Sequence, residues 1–166
     1  MKKIFILIFA SLILFVISCG KEEYTEQGIS EIVQRTDSLL INLAGQKFNW
    51  ASAKAYSTVL TFYPEPDLVF LKEELYRKTA KEYNLYYYKD GYLIHFIGKK
   101  LKYFPKNIKN TKEQMTILTL NLDSDGDVIS YQKIVDGELL NLDDSELEEV
   151  QTHAEELYER FGEKEE

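Results

Sequence analysis

The stretch YNLYYYKDGYLIHF, Tyr83 to Phe96, decides the fold of this chain. Two segments rich in aromatic and aliphatic residues flank Asp90-Gly91, and an Asp-Gly pair in that setting is the strongest short-range indication of a β-hairpin. A two-residue turn there fixes which residues of the two strands lie opposite each other. The pairs that it predicts are Tyr88 with Leu93, Tyr87 with Ile94, Tyr86 with His95 and Leu85 with Phe96.

This register divides the predicted hairpin into two faces. We expect the core face to carry Leu85, Tyr87, Tyr92, Ile94 and Phe96. The other face carries Tyr86, Tyr88 and His95, with Asn84 at its margin. Because a tyrosine combines a flat apolar ring with a polar tip, we interpret Tyr86, Tyr88 and His95 as a candidate face for a ligand or a partner. The alternative is that the long loops at 45–55 or 98–114 fold over this face and bury it.

The rest of the chain repeats these signals on either side of the hairpin. Alternation of apolar and polar residues predicts strands at 56–63, 82–88, 92–97, 115–122 and 128–135. Residues 68–76 fit a strand or a helix, and their β-branched and aromatic content favours a strand. An apolar stripe predicts a helix over about 30–44, with Ser30 as its N-cap and Gly45 as its stop.

A second helix is predicted at the end of the chain. Ser145-x-x-Glu148 has the form of a capping box, and Gly162 stands where the helix would end. Its apolar stripe consists of Leu147, Val150, Ala154, Leu157 and Phe161. The predicted fold class is therefore α+β, with an N-terminal helix, an antiparallel β-meander of about six strands and a C-terminal amphipathic helix. Each helix has one stripe to bury, so we expect both to cover the same sheet face. This arrangement resembles cystatin-like architectures in general shape.

Composition and charge restrict the class of protein. The chain of 166 residues is 45% hydrophobic, which is enough for the core of one domain. Its net charge of −8 argues against a nucleic-acid partner, because phosphate contacts require a cationic face. The single cysteine allows no internal disulfide.

That cysteine, Cys19, lies where an apolar run ends. Lys2 and Lys3 precede the uncharged run Ile4–Ile17, which is short for a membrane span and has the layout of a secretory signal. Val16-Ile17-Ser18-Cys19 resembles the lipobox of bacterial lipoproteins, with an aliphatic residue three places before the cysteine and a small residue just before it. Ile17 is bulkier than is usual in that family. An uncleaved anchor with an incidental cysteine is the alternative.

The resemblance to lipoproteins implies that the signal peptide is cleaved and that the chain has a defined location in the cell envelope. It implies that Val16, Ile17 and Ser18 are recognised by the signal peptidase and that Cys19 receives a diacylglyceryl group, which anchors the chain in a membrane. Gly20 in place of Asp resembles an outer-membrane signal, and Gly20-Lys21-Glu22-Glu23 resembles the export signal of surface lipoproteins, although a solvated tether has the same composition. We therefore expect a signal peptide at 1–18, a tether at 19–28, one domain at 29–162 and an acidic tail at 163–166.

Signals for catalysis and metal binding are sparse. No nucleophile elbow, zinc-protease motif, P-loop or dinucleotide fingerprint occurs in the sequence. Asn121-x-Asp123-x-Asp125-Gly126 matches the start of a Ca²⁺ loop, but the twelfth position is Gln132 instead of the bidentate Glu. We therefore predict no enzyme activity, no metal and no cofactor. His153 lies beside the stripe of the last helix, where packing or solvation is commoner than ligation.

The segment GKKLKYFPKNIKNTK, Gly98 to Lys112, holds six lysines and no acid. Such a segment suits an anionic glycan, lipid or partner, but it also suits a strand edge protected from aggregation. We predict a binding or adaptor module, anchored by lipid to the cell envelope at the outer membrane, with an envelope protein or a glycan as its partner. An accessory structural or inhibitor-type envelope protein is the alternative, and an enzyme is a third.

Overall fold

The computed structural model of the chain describes residues 24–51, 55–103 and 113–162. The predicted signal peptide, Val16 to Cys19, the first half of the tether and the tail at 163–166 lie outside those residues, as does much of the lysine-rich segment. The elements in chain order are α1 (Glu26–Leu40), β1 (Gln46–Ala51), β2 (Ala55–Glu65), β3 (Leu68–Arg77), β4 (Ala80–Lys89), β5 (Tyr92–Lys102), β6 (Gln114–Leu122), β7 (Val128–Val135), β8 (Glu138–Leu140) and α2 (Asp144–Phe161). The predicted α+β class is confirmed.

The strands form one open meander in which each strand is antiparallel to the next, in the order β1 to β8. The sheet has eight strands instead of the predicted six. Strand β1 was missed because only Phe48 and Trp50 alternate with polar residues in it. Strand β8 follows Asp136-Gly137, and both residues have positive φ. That pair is the same hairpin signal as Asp90-Gly91, and reading it would have predicted the last strand.

Side-chain caps fix the starts of both helices. The Thr25 hydroxyl accepts a hydrogen bond from the Gly28 amide, so α1 begins at Glu26, inside the predicted tether, and Ser30 is not its N-cap. Helix α1 ends at Leu40, before the predicted stop at Gly45. Asp143 and Glu146 form the capping box of α2, two residues before the predicted one, and Gly162 is its C-cap as predicted.

The two helices cover opposite faces of the sheet, so the prediction that both cover one face is wrong. Helix α2 buries Ala154 and Leu157 in the larger core, together with Leu71, Tyr86, Tyr88, Phe96 and Leu120. Ile32, Val33 and Leu40 of α1 pack on a smaller core made of Phe70, Tyr87 and Ile94. Since a sheet with apolar residues on both faces must cover both, one helix on each face is the arrangement that buries them.

The hairpin turn at Asp90-Gly91 is confirmed, but the register beyond it changes. Tyr88 pairs with Leu93 as predicted, and a β-bulge then pairs Tyr87 with His95 and Tyr86 with Phe96. A bulge adds one residue to one strand, so every later side chain of that strand changes face relative to its partners. The predicted faces are therefore wrong for His95 and Phe96, which exchange sides. Strand β6 pairs with β7 through Asn121↔Ser130, and a second register shift then pairs Leu122 with Val128.

No helix in the described parts of the chain is long and apolar enough to cross a membrane.

Candidate functional site

Glu73, on β3, is fully buried in the sheet face under α2. The period of two in this strand places it between Leu71 and Leu75, which are also buried. An ionised carboxylate in such a place is unstable unless other groups donate hydrogen bonds to it. The groups around Glu73 therefore determine whether its carboxylate is stable in the ionised form.

Four side chains donate to or contact the Glu73 carboxylate. The Ser57 hydroxyl lies 2.6 Å from Oε1, while Asn84 Nδ2 and the Tyr86 hydroxyl each lie 3.2 Å from Oε2. Nε2 of His153 lies 2.9 Å from the same Oε2. Three of these residues come from neighbouring strands and His153 comes from α2, so the cluster ties the helix to the sheet.

This pairing moves the pKa values of both members. Burial acts to raise the pKa of Glu73, but the hydrogen bond and charge of His153, and then the bonds from Ser57 and Asn84, bring it below the ordinary value. Burial acts to lower the pKa of His153, and the hydrogen bond and charge of Glu73 raise it above the ordinary value of 6.5. The pair is therefore stabilised as carboxylate and imidazolium.

A cavity of about 110 Å³ lies beside the pair, between the first half of α2 and strands β3 to β6. His153, Asn84 and Tyr86 belong to its wall, so three of the groups that hold Glu73 also face the cavity. The apolar part of the wall consists of Leu75, Phe96, Leu118 and Val150. The cavity thus combines an apolar surface with a few convergent polar groups, which is the usual composition of small-molecule sites.

Charges of both signs surround the cavity. Arg77 Nε and Lys100 Nζ each lie 3.2 Å from Oε1 of Glu82, and all three residues line the wall. Glu146, on α2, also lines it and forms an ion pair with Lys133. Because the cations and carboxylates neutralise each other, the rim carries no strong net charge.

Gly98 leaves room for the ring of Phe96 in the wall of the cavity. A Cβ at this position would lie 2.6 Å from Cζ of Phe96 and 3.3 Å from Oδ1 of Asn84. The ring of Phe96 occupies that space and packs on Tyr86 at 5.1 Å between ring centroids. A larger residue at position 98 would push the Phe96 ring out of its place.

The predicted ligand face of Tyr86, Tyr88 and His95 is buried in the structure. Tyr86 and Tyr88 are 1% and 2% exposed under α2, where the Tyr88 hydroxyl donates to the Ala154 carbonyl at 2.8 Å. Burial raises the pKa of both phenols well above the ordinary value. The prediction of an open face at these residues is wrong, because α2 covers the side that was expected to be free.

His95 lies on the opposite face, under α1, and is separated from the two tyrosines. Its Nδ1 lies 2.6 Å from Oδ1 of Asn121, whose amide donates to Ser130. Burial lowers the pKa of His95, and the bond to Asn121 offsets this only in part. His95 is therefore a packed residue of the smaller core.

Hydrogen bonds within the acidic loop between β6 and β7 stabilise its conformation. The amides of Asp125 and Asp127 donate to Oδ1 of Asp123, at 2.8 and 2.9 Å. This is the local turn chemistry of aspartate. Among the described residues, no group of three or more side chains is placed to hold a metal ion.

The Glu73 cluster was not predicted from the sequence. The signal was present in β3, where a carboxylate alternates with Leu71 and Leu75, and in α2, where His153 stands three residues after Val150 and four before Leu157. His153 was interpreted only as a packed or solvated residue. No protein-family model, no curated protein and no solved structure matches this chain.

Proposed function

We propose that this chain is a lipoprotein of the bacterial cell envelope, anchored through Cys19 at the outer membrane, whose domain binds a small polar molecule in the cavity under α2. The resemblance of Val16 to Cys19 to a lipobox supports the anchor and the location. Such a protein acts as a binding module, and an envelope protein or a glycan of the cell surface is the partner to which it delivers or presents its ligand.

One observation carries the binding proposal. His153, Asn84 and Tyr86 face the cavity while the buried carboxylate of Glu73 holds all three in place. Polar side chains fixed by a second group behind them are pre-organised, so a ligand does not have to order them when it binds. A structural ion pair alone does not require an adjoining cavity.

The chemistry of the wall defines the class of ligand. Its apolar part accepts a small hydrocarbon or ring surface, and its polar groups offer donors from Asn84 and from His153. The rim contains Arg77 and Lys100 next to three carboxylates, Glu82, Glu146 and Glu149. A neutral or zwitterionic molecule, such as an amino acid or a monosaccharide, suits this mixture better than a strong anion or cation.

The test is thermal unfolding of the full chain in detergent against a panel of free amino acids and monosaccharides. A ligand at a concentration of 100 times its Kd stabilises the folded state by about 2.7 kcal/mol, which is a readily measured rise in Tm. We expect Val150→Phe, which fills the cavity from α2, to abolish this rise. Thr152→Phe, on the exposed side of the same helix, is the matched control and is expected to keep it.

The binding proposal is overturned if no member of the panel raises Tm, or if Val150→Phe leaves the rise unchanged. Either result would assign Glu73 and His153 to stability alone.

A hydrolase is the second candidate, and the 2.9 Å contact between Glu73 and His153 favours it. A carboxylate that orients an imidazole is half of the arrangement used for general-base catalysis. Hydrolysis of activated esters or glycosides by the full chain, lost in His153→Gln, would support this candidate. The accessory structural or inhibitor-type role, which the sequence offers as the alternative, predicts neither ligand binding in the cavity nor turnover.

A further inference from the structure

Helix α1 covers only part of its sheet face, and the remainder exposes aromatic side chains. Tyr56, Tyr76 and Tyr83 are 46%, 38% and 36% exposed, and Met115 is 38% exposed. The lysines Lys47, Lys81 and Lys99 belong to the same side of the sheet. We call this surface the tyrosine–lysine face and define it by Lys47, Tyr56, Tyr76, Lys81, Tyr83 and Lys99.

The strand register arranges these residues in rows across the sheet. Tyr56 pairs with Tyr76, and Tyr76 pairs with Lys81. The row continues through Leu101 to Met115 on β6. At about 4.8 Å between strands, it spans about 19 Å. Tyr83 and Lys99 are neighbours in the next row. Lys47, opposite Leu60, lies one row further along. The face therefore covers three rows, and its longer dimension runs perpendicular to the strands.

Local contacts hold the aromatic side chains in place. The Tyr56 hydroxyl donates to Oδ1 of Asn49 at 3.1 Å, and the Tyr76 hydroxyl donates to Oε2 of Glu74 at 2.7 Å. Lys81 Nζ lies 4.7 Å from the ring centroid of Tyr76 and 4.4 Å from that of Tyr83. Binding to this face would therefore require little additional ordering of side chains.

The charge of the face is opposite to that of the protein. The chain as a whole carries −8, whereas this face holds Lys47, Lys81 and Lys99 beside the carboxylate of Glu74, which already accepts the Tyr76 hydroxyl. Lys99 belongs to the lysine-rich segment that begins at Gly98, and it faces this surface while Lys100 faces the cavity. An anionic ligand is thus attracted here and repelled by most of the remaining surface.

We propose that the tyrosine–lysine face binds an acidic polysaccharide. Sugar rings lie on the rings of Tyr56, Tyr76 and Tyr83, and the carboxylate or sulfate groups of the polymer pair with Lys47, Lys81 and Lys99. Tyrosine suits this role because its apolar ring face accepts C–H groups while its hydroxyl accepts or donates hydrogen bonds. The long dimension of the face, across five strands, matches a chain-like ligand.

The position of the face argues against an acidic polypeptide. Extended peptides bind sheets by adding a strand at an edge, where main-chain groups are free. The tyrosine–lysine face crosses the middle strands, whose main-chain groups already pair with neighbouring strands. A peptide lying there would gain no main-chain hydrogen bonds, whereas a polysaccharide needs none.

The test measures the Kd of the full chain in detergent for four polymers: polygalacturonate, dextran sulfate, neutral dextran and polyglutamate. We expect one or both acidic polysaccharides to bind. Binding of polygalacturonate alone indicates specificity for carboxylate groups, and binding of dextran sulfate alone indicates specificity for sulfate groups. Binding is expected to weaken as ionic strength rises from about 0.01 M to about 0.15 M, since the Debye length falls from about 30 Å to about 8 Å.

Two variants locate the site. Lys81→Gln removes the central cation, Tyr83→Ala removes a ring, and each is expected to weaken binding about tenfold or more, equivalent to about 1.4 kcal/mol. Tyr131→Ala removes a tyrosine of similar exposure (45%) from β7 and is expected to leave Kd unchanged. Val150→Phe, in the separate cavity, is also expected to leave it unchanged, so the two sites are tested independently.

The proposal is overturned by equal affinity for neutral dextran. It is also overturned by polyglutamate binding that is as tight as that of the acidic polysaccharides and is lost in the same variants, or by no loss of affinity in Lys81→Gln and Tyr83→Ala at unchanged Tm. Absence of binding to both acidic polysaccharides would overturn it as well.

Discussion

Replacing His153 by Leu removes the charged partner that the described part of the chain places on the buried Glu73 carboxylate, and the cost can be worked out from the structure. The Glu73 side chain is fully buried, and Nε2 of His153 lies 2.9 Å from its Oε2. A hydrogen bond to a charged group contributes about 1.5–3 kcal/mol, and removing one member of a buried ion pair costs about 3–5 kcal/mol. Because Ser57, Asn84 and Tyr86 still donate to the carboxylate, we expect a loss near 3 kcal/mol.

Urea unfolding at pH 6, extrapolated linearly to water, measures this loss as a fall in the free energy of unfolding at unchanged m. His153→Gln is the matched control, because its amide can still donate to Glu73 but carries no charge. It is expected to lose less stability than His153→Leu. Thr152→Leu, the exposed neighbour on α2, is expected to be nearly neutral.

The pH dependence gives an independent check on the same pair. The pKa of His153 is raised in the folded state, so its stabilisation is complete below the ordinary value of 6.5 and is lost as pH rises through the folded value. The pKa of Glu73 is lowered, so its contribution is present above 4.5 and is lost as pH falls through the folded value. The pair therefore contributes most to stability between those two ordinary values.

We expect the free energy of unfolding of the wild type to fall as pH rises above 6.5, and that part of the slope to vanish in His153→Leu. The reasoning is refuted if His153→Leu costs less than about 1 kcal/mol at pH 6, the contribution of an ordinary neutral hydrogen bond. It is equally refuted if the slope above pH 6.5 is the same in both proteins.

Further predictions concern the anchor, the acidic loop and the two cores. Cys19→Ser is expected to abolish labelling by a fatty-acid probe and to leave an unprocessed precursor; unchanged labelling would contradict the lipoprotein proposal. Millimolar Ca²⁺ is expected not to raise Tm, and a rise of several degrees that disappears in Asp125→Ala would show that the loop binds calcium. Tyr88→Phe is expected to cost about 1 kcal/mol through the lost bond to the Ala154 carbonyl, and Tyr88→Ala about 3–5 kcal/mol, both by urea unfolding. Because the pKa of His95 is lowered on folding, stability is expected to fall as pH decreases below 6.5, and this dependence should weaken in His95→Gln.

The sequence by itself determined most of the elements. Hairpin positions follow from Asp90-Gly91 and from the alternation on either side, since a turn that needs positive φ at both central residues restricts the residue types that can form it. The buried stripe of α2 was likewise readable, because Ala154 and Leu157 recur at helical spacing and the structure buries both. These are local properties, and each depends on residues only a few positions apart.

Only the tertiary structure decided which face each helix covers. An apolar stripe indicates that one side of a helix is buried, but it does not identify the surface against which that side packs. Likewise, no residue type marks the bulge between the Tyr87 and Tyr88 pairs, although its single extra residue, Ile94, moves His95 beneath α1 and Phe96 beneath α2. A one-residue shift in register reverses every later side chain of the bulged strand, so this local irregularity separated His95 from Tyr86 and Tyr88.

The candidate site depends on the tertiary structure for the same reason. Glu73 and His153 are separated by 80 positions, and neither is unusual in its own segment. A carboxylate in an amphipathic strand is exposed or buried according to what lies above it, and here α2 supplies both the cover and the imidazole. The sequence determined the strand and the helix, whereas the meeting of two ionisable groups in a buried place required the fold, because desolvation and pairing exist only once the helix is on the sheet.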